Sequence, residues 1–264
     1  TSHQILSGSS GGWPLNVFLH PETLVPFFSG TYFPRETRYG LKAFKEILGM
    51  ISGAFDNNKE VIIKQSKNLE NLLNKEMYGQ EKEEFSNEPL NKAIESLKYK
   101  YDRYHGGFGA APKFPQCTSL SLLRKAHLIE EFSSTELHKI VNFTLERMIN
   151  GGLRDHLEGG FFRYSVDEKW MIPHFEKMLY DNAQLLSVLA DSWDEIENDE
   201  FRKTTIETAD WLIKKMQSDL GGFYSTIDAD SEGEEGKFYC WKFQEIEELL
   251  THEEMKLFSQ VYGL

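Results

Sequence analysis

Apolar positions recurring with a period near 3.6 run through most of the chain and predict helices at about 41–55, 58–77, 90–101, 119–132, 134–149, 174–193 and 200–217. Two shorter helices follow at 243–250 and 253–261. Ser133-x-x-Glu136 and Thr251-x-x-Glu254 have the spacing of capping boxes. The strand signal is confined to the start. Leu15-Asn16-Val17-Phe18-Leu19 and Val25-Pro26-Phe27-Phe28 flank the turn-prone His20-Pro21-Glu22-Thr23 and read as a β-hairpin. Pro14 opens its first strand, where a missing N–H costs no ladder bond. Two strands and their helices cannot cover both faces of a sheet, so an exposed edge, open to association, is expected there. A polar, charged stretch at 74–89 places a boundary near Glu84 and divides residues 1–83 from a helical region at 84–264.

Between the helices, Gly-Gly-Phe occurs three times, at Gly106, Gly159 and Gly221, about one helical hairpin apart. Paired glycines permit positive φ and a close backbone approach, and the phenylalanine after them can pin the loop to the core. Acidic or imidazole groups accompany each loop: Asp102 and His105; Asp155, His156 and Glu158; Asp219, Asp228 and Asp230. Helical hairpins repeated around an axis with polar loops gathered on one side describe an (α/α) toroid, of which these repeats supply about half. The fold class expected is therefore mainly α: a partial toroid preceded by a small α/β segment.

The richest of the loops leads into the richest helix, at 151–186. Asp155, His156, Glu158, Arg163, Tyr164, Asp167, Glu168, Trp170 and His174 fall within about twenty residues, more than a plain connection requires. With Pro173 read as the first helical residue, His174 and Asp181 share one border of an apolar helix face, and Asn182 falls in its middle. Such polar groups either satisfy the preceding loop or face a cavity and handle a polar ligand.

Composition narrows the ligand. A formal charge of −13 argues against nucleic acid and anionic membrane as partners, since binding a polyanion requires a positive field. No run of about 18 apolar residues occurs, and no basic-plus-apolar leader. Cys117 and Cys240 form neither a disulfide framework nor zinc-ligand spacing, so a reducing, cytoplasmic location is expected, with no cofactor and no metal. Asp228, Asp230, Glu232 and Gly233 imitate the start of a calcium loop, but Tyr239 stands where its bidentate glutamate is needed. There is no GxSxG elbow and no GxxxxGK[ST] loop.

Gly-Trp-Pro before a strand, a short hairpin and a closing helix resemble the second half of a thioredoxin fold, without its CxxC. YDRYHGGFGAAPKFP, RYSVDEKWMIPHFEKMLYDNAQLL and GGFYSTIDADSEGEEGKFYCW resemble signature blocks of the thioredoxin-domain-containing family related to spermatogenesis-associated protein 20 and its bacterial homologues. The resemblance covers nearly the whole chain. It implies a thioredoxin-like domain followed by a six-hairpin-glycosidase-like domain akin to N-acylglucosamine and cellobiose 2-epimerases, with the family's cysteine-bearing upstream part and later hairpins outside this sequence.

A small-molecule carbohydrate is the ligand this implies. His156 and His174 suit proton transfer at a carbon next to a carbonyl, as in epimerisation or isomerisation. Hydrolysis would instead draw two carboxylates from Asp155, Glu158, Asp167 and Asp228. Phe161, Tyr164, Trp170 and Tyr224 are candidate stacking faces; His105, Arg163, Asp181 and Asp230 complete the candidate binding set. The rival classes are a thiol redox or chaperone-like protein and a non-catalytic binding scaffold.

Overall fold

The computed structural model describes residues 1–77 and 86–263, so the boundary expected at Glu84 lies outside the described residues. Two compact units result, residues 1–85 and 86–264.

In the first unit, β1 (Asn16–Leu19) and β2 (Pro26–Gly30) form the expected antiparallel hairpin, in register from Asn16↔Gly30 to Phe18↔Phe28 with an irregularity before Leu19. Helices α1 (Ser2–Ser7) and α3 (Lys59–Met77) pack on β2, and α2 (Phe44–Asn57) packs on α3. The Trp13–Pro14 peptide is cis, and the Trp13 side chain is 90% exposed.

The second unit is mainly α. Helix α4 (Glu88–Lys100) leads into two helical hairpins, α5 (Cys117–His127) with α6 (Thr135–Asn150) and α7 (Leu179–Ile196) with α8 (Asp199–Trp211), with α5 also lying against α7. Leu120, Leu123, Leu145, Met148, Ile149, Leu185, Leu189 and Phe201 close the core between them. Removing each such side chain from water contributes about 1.5–3 kcal/mol, which fixes these faces inward. A π-helical turn at Leu212–Met216 ends α8 early, and α9 (Phe243–Leu249) and α10 (His252–Tyr262) close the unit. The Thr251–Glu254 capping box forms as expected; the helix expected after Ser133 is instead capped by Ser134, whose hydroxyl accepts from the Glu136 N–H.

The largest departure from the sequence pattern lies at 173–178, expected as the start of α7. These residues are two short strands. β4 (Pro173–His174) pairs with β3 (Tyr164–Ser165), and β5 (Lys177–Met178) pairs with β6 (Thr226–Ile227). His174 and Asp181 therefore do not share a helix face. The acidic segment that imitates the start of a calcium loop forms a tight hairpin of β7 (Asp230–Ser231) and β8 (Glu234–Glu235).

Candidate functional site

The first two Gly-Gly-Phe loops share one hydrogen-bonding plan around an aspartate and a buried lysine, differing in the carbonyl to which the lysine makes its second bond. In the first, the Asp102 carboxylate accepts from the N–H groups of Tyr104 and His105, and Gly106 N–H returns to the Asp102 carbonyl. The Lys113 ammonium donates to Asp102 at 2.6 Å and to the Glu168 carbonyl at 2.9 Å. In the second, Asp155 accepts from Leu157 and Glu158 N–H, Gly159 N–H returns to its carbonyl, and Lys177 donates to Asp155 at 2.7 Å and to the Gly159 carbonyl at 3.0 Å. Both lysines are fully buried.

Each second glycine carries an indole. A Cβ on Gly107 would meet the Trp170 ring at 2.6 Å, and one on Gly160 the Trp211 ring at 2.6 Å. The same rings face the buried ammonium groups, Lys113 over Trp170 at 5.3 Å and Lys177 over Trp211 at 4.9 Å. The third loop closes one residue shorter, with Ser218 N–H donating to the Gly222 carbonyl and Gly221 N–H to the Ser218 carbonyl; Gln217 stands four residues before Gly221, where the first two loops have aspartate, and the loop's glycines stand open.

These loops place several of the expected residues inside the scaffold. Burial works to raise the Asp155 carboxyl, but the Lys177 charge and hydrogen bond and the two backbone amides outweigh it and hold it below the usual carboxylate range. Asp167 is likewise kept low against burial by the amides of Ile172, Lys169 and Met171 and the Ser165 hydroxyl, which tie the tip between β3 and β4. Phe161 and Trp170 are core side chains, and the Trp170 indole N–H donates to the His105 carbonyl. His156 donates to the Gly151 carbonyl, and Glu158 pairs with Lys215 near the surface. Asp228 is exposed and accepts from Asp230 N–H.

His174, Arg163, Tyr164 and Asp181 come together. The Tyr164 ring stacks on the His174 imidazole at 4.8 Å and 16°, and Phe114 lies 4.7 Å from the Tyr164 ring. His174 Nδ1 is 2.6 Å from a Glu235 carboxylate oxygen, 61 residues away. An ionised carboxylate only accepts, so Nδ1 carries a proton, and in the neutral imidazole Nε2 presents the lone pair. Glu176 stands 3.8 Å from Nε2, too far to bond it, held by the Arg163 guanidinium at 2.7 Å. Asp181 lies in the same electrostatic environment as Arg163 and Glu176 in the first turn of α7; burial, aided by Glu176 and opposed by Arg163, pushes its carboxyl up to about 6, and its Oδ2 is buried with no partner among the described residues. Asp230 is the β-partner of Glu235.

Glu176 and Glu235 are the functional candidates that sequence reasoning missed. Glu235 sits in an acidic run that reads as solvated, and no local spacing links it to His174. Lys113 and Lys177 were missed because lysine is normally a surface residue. The repeat of Asp-x-x-x-Gly-Gly-Phe at 102–108 and 155–161 was the signal that could have found them, since a twice-repeated buried carboxylate calls for a repeated cation.

Cavities of about 440 and 240 Å³ in the first unit, and a groove of about 530 Å³ by Tyr101, His138 and Asn142, are lined by other residues than these. Among the described residues no group of three or more His, Cys, Asp or Glu could hold a metal ion, and no helix is long and apolar enough to cross a membrane.

The architecture and site define a two-unit protein in which a short α/β unit precedes helical hairpins carrying a histidine–carboxylate cluster. Residues 1–74 match the family model Thioredox_DsbH, described as a protein of unknown function, DUF255. The chain is similar to spermatogenesis-associated protein 20: it is 36% identical to the Rattus norvegicus protein over 258 residues and 35% identical to the Homo sapiens protein over 257, in each case 92% of this chain and 32% of the relative. An uncharacterised protein of Caenorhabditis elegans, B0495.5, is 37% identical over 258 residues, covering 93% of this chain and 35% of that protein. The chain thus spans about a third of the length of the curated relatives it matches. Among solved structures, a sugar epimerase from a ruminal bacterium aligns with TM-score 0.44 and 14% identity over 55% of this chain and 44% of that one. Cellobiose 2-epimerase from Spirochaeta thermophila aligns with TM-score 0.44 and 20% identity over 53% and 39%.

Proposed function

We propose that the helical unit carries a carbohydrate-processing site in which His174 takes and returns a proton at a carbon next to a carbonyl, giving epimerisation or isomerisation. The observation that carries this reading is the His174 ring itself, with Nδ1 tied to Glu235 and Nε2 unbonded, facing Glu176 across a gap of 3.8 Å. A base held in one tautomer by a carboxylate, with its other nitrogen free, is arranged for proton transfer. Arg163 holds Glu176 in place to accept from a ligand hydroxyl, and Tyr164 backs the imidazole. The sugar class rests on the resemblance of the loop motifs and on the acidity of the chain, which disfavours anionic ligands. Hydrolysis is less well supported, because Asp155 and Asp167 are committed to loop bonds that keep them ionised, whereas a general acid must hold a proton.

A thiol-redox reading draws on the match over residues 1–74, but that segment contains no cysteine. The test is NMR of the protein with a panel of mono- and disaccharides in D₂O. Deuterium entering at the carbon next to the carbonyl, and lost on His174→Gln, is the expected result. New anomeric signals without exchange would overturn it in favour of hydrolysis, and no change across the panel would overturn the carbohydrate reading.

A further inference from the structure

Glu235 reaches His174 from a different element, and something must hold it there. Its hairpin, β7–β8, is short and largely exposed, with Glu234 and Glu235 both exposed. One strand pair of two residues per strand provides little rigidity, and among the described residues the carboxylate bonds only to His174. The residue after it is different: Gly236 is buried, at φ +73°, and its N–H donates to the Ala229 carbonyl at 2.9 Å.

A Cβ at Gly236 would lie 2.5 Å from two atoms of the Phe175 ring, a separation side chains do not reach. Phe175 is the neighbour of His174 in sequence. The turn beyond Gly236 closes over the same ring: Tyr239 N–H and Cys240 N–H both donate to the Gly236 carbonyl, and the Tyr239 ring stacks on Phe175 at 5.5 Å and 7°. Phe162 meets both rings edge-on, and the buried Lys177 ammonium lies 4.9 Å from Phe162 and 5.2 Å from Tyr239.

We propose that Gly236 is the positioning residue of the His174–Glu235 pair: its missing side chain lets the 234–240 turn seat on Phe175, and that seat delivers Glu235 to Nδ1. The chain of support runs from the Asp155–Lys177 pair, through the aromatic cluster of Phe162, Phe175 and Tyr239, to Gly236 and then to the imidazole. Glycine is required twice over, by the left-handed backbone and by the close approach. The inference concerns the imidazole's tautomer and stands whether or not the ligand is a sugar.

The experiment follows the His174 ring nitrogens by long-range ¹H–¹⁵N correlation in the intact chain, with Glu235→Gln as the reference for a lost carboxylate. In the parent protein a single Nδ1–H tautomer is expected. Gly236→Ala should give the mixed-tautomer pattern while thermal unfolding of the helical unit stays within a few degrees. The variant Phe175→Ala, which removes the ring on which the turn seats, should give the same mixed-tautomer pattern with Gly236 in place. A Gly236→Ala spectrum unchanged from the parent would overturn the proposal, and so would a Phe175→Ala spectrum unchanged from the parent, because the seat on that ring would then not be what delivers Glu235.

Discussion

Replacing Lys177 by methionine keeps most of the buried aliphatic stem and removes the ammonium that Asp155 faces at 2.7 Å. The carboxylate, 8% exposed, is left with the N–H groups of Leu157 and Glu158 but no counter-charge. Breaking a buried pair from one side costs about 3–5 kcal/mol, and the two remaining amides place this case near the lower end, at about 3 kcal/mol. For urea slopes of roughly 1–3 kcal/mol per M, the unfolding midpoint should fall by at least about 1 M. The assay is urea unfolding of the helical unit, followed by the fluorescence of its buried Trp170 and Trp211.

The pH dependence gives the sharper test. In the parent, Asp155 is held below its unfolded value, so its contribution is present above about pH 4 and is lost only as pH falls through the lower folded value. In the variant burial acts without the cation, and the folded carboxyl moves above its unfolded value. The penalty is then full at pH 7 and shrinks toward pH 4, where a protonated carboxyl needs no counter-charge. A loss under about 1 kcal/mol at pH 7, or a gap that stays constant between pH 7 and 4, would refute the view that Lys177 neutralises a buried charge.

Four further outcomes are expected. His174→Gln should abolish deuterium exchange into the responding sugar while changing unfolding stability by less than about 1 kcal/mol, as measured by NMR and calorimetry on the same preparation. Glu235→Gln should slow that exchange by about 10–100-fold without eliminating it, because the base remains and only its orientation is lost. Gly160→Ala should destabilise by at least about 2 kcal/mol in urea titration, since the new Cβ would strike the Trp211 ring at 2.6 Å on a residue at φ +74°. Asp181, with its carboxyl pushed up to about 6, is destabilising once ionised, and stability is lost as pH rises from its unfolded value near 4 through about 6. Asp181→Asn should therefore gain on the order of 1 kcal/mol over the parent at pH 7, after allowance for solvent screening, with the gain absent at pH 4; urea midpoints at the two values measure it.

The apolar periodicity located α4 to α8 because each buries one continuous face, and a face repeated over three or more turns leaves a pattern that a linear reading detects. At 173–178 the same pattern misled. Pro173 suits a first helical turn and His174, Phe175 and Met178 fit the period, yet a strand of two residues has no periodicity of its own and takes its identity from partners at Tyr164 and Thr226, distant in sequence. The expected cluster was legible in its local part, with His174, Arg163 and Tyr164 brought together by one hairpin. Glu235 was not, because it arrives through a contact made by Gly236 on Phe175. Asp155 and Asp167 announced themselves as chemistry in the sequence; the structure shows backbone amides and lysine absorbing their charge, an arrangement set by loop shape.

Because each indole comes from a later segment to rest on a loop's second glycine and face a buried lysine, the Gly-Gly-Phe loops cannot be exchanged piecemeal. Transplanting 155–161 alone into another helical hairpin would carry a carboxylate without its ammonium and a glycine without its lid. The smallest transferable part also includes the strand bearing Lys177 and the last turn of α8 bearing Trp211. Gene-level shuffling of this architecture would accordingly be expected to cut between whole hairpin-plus-loop modules, with breakpoints inside a module selected against before any ligand is met.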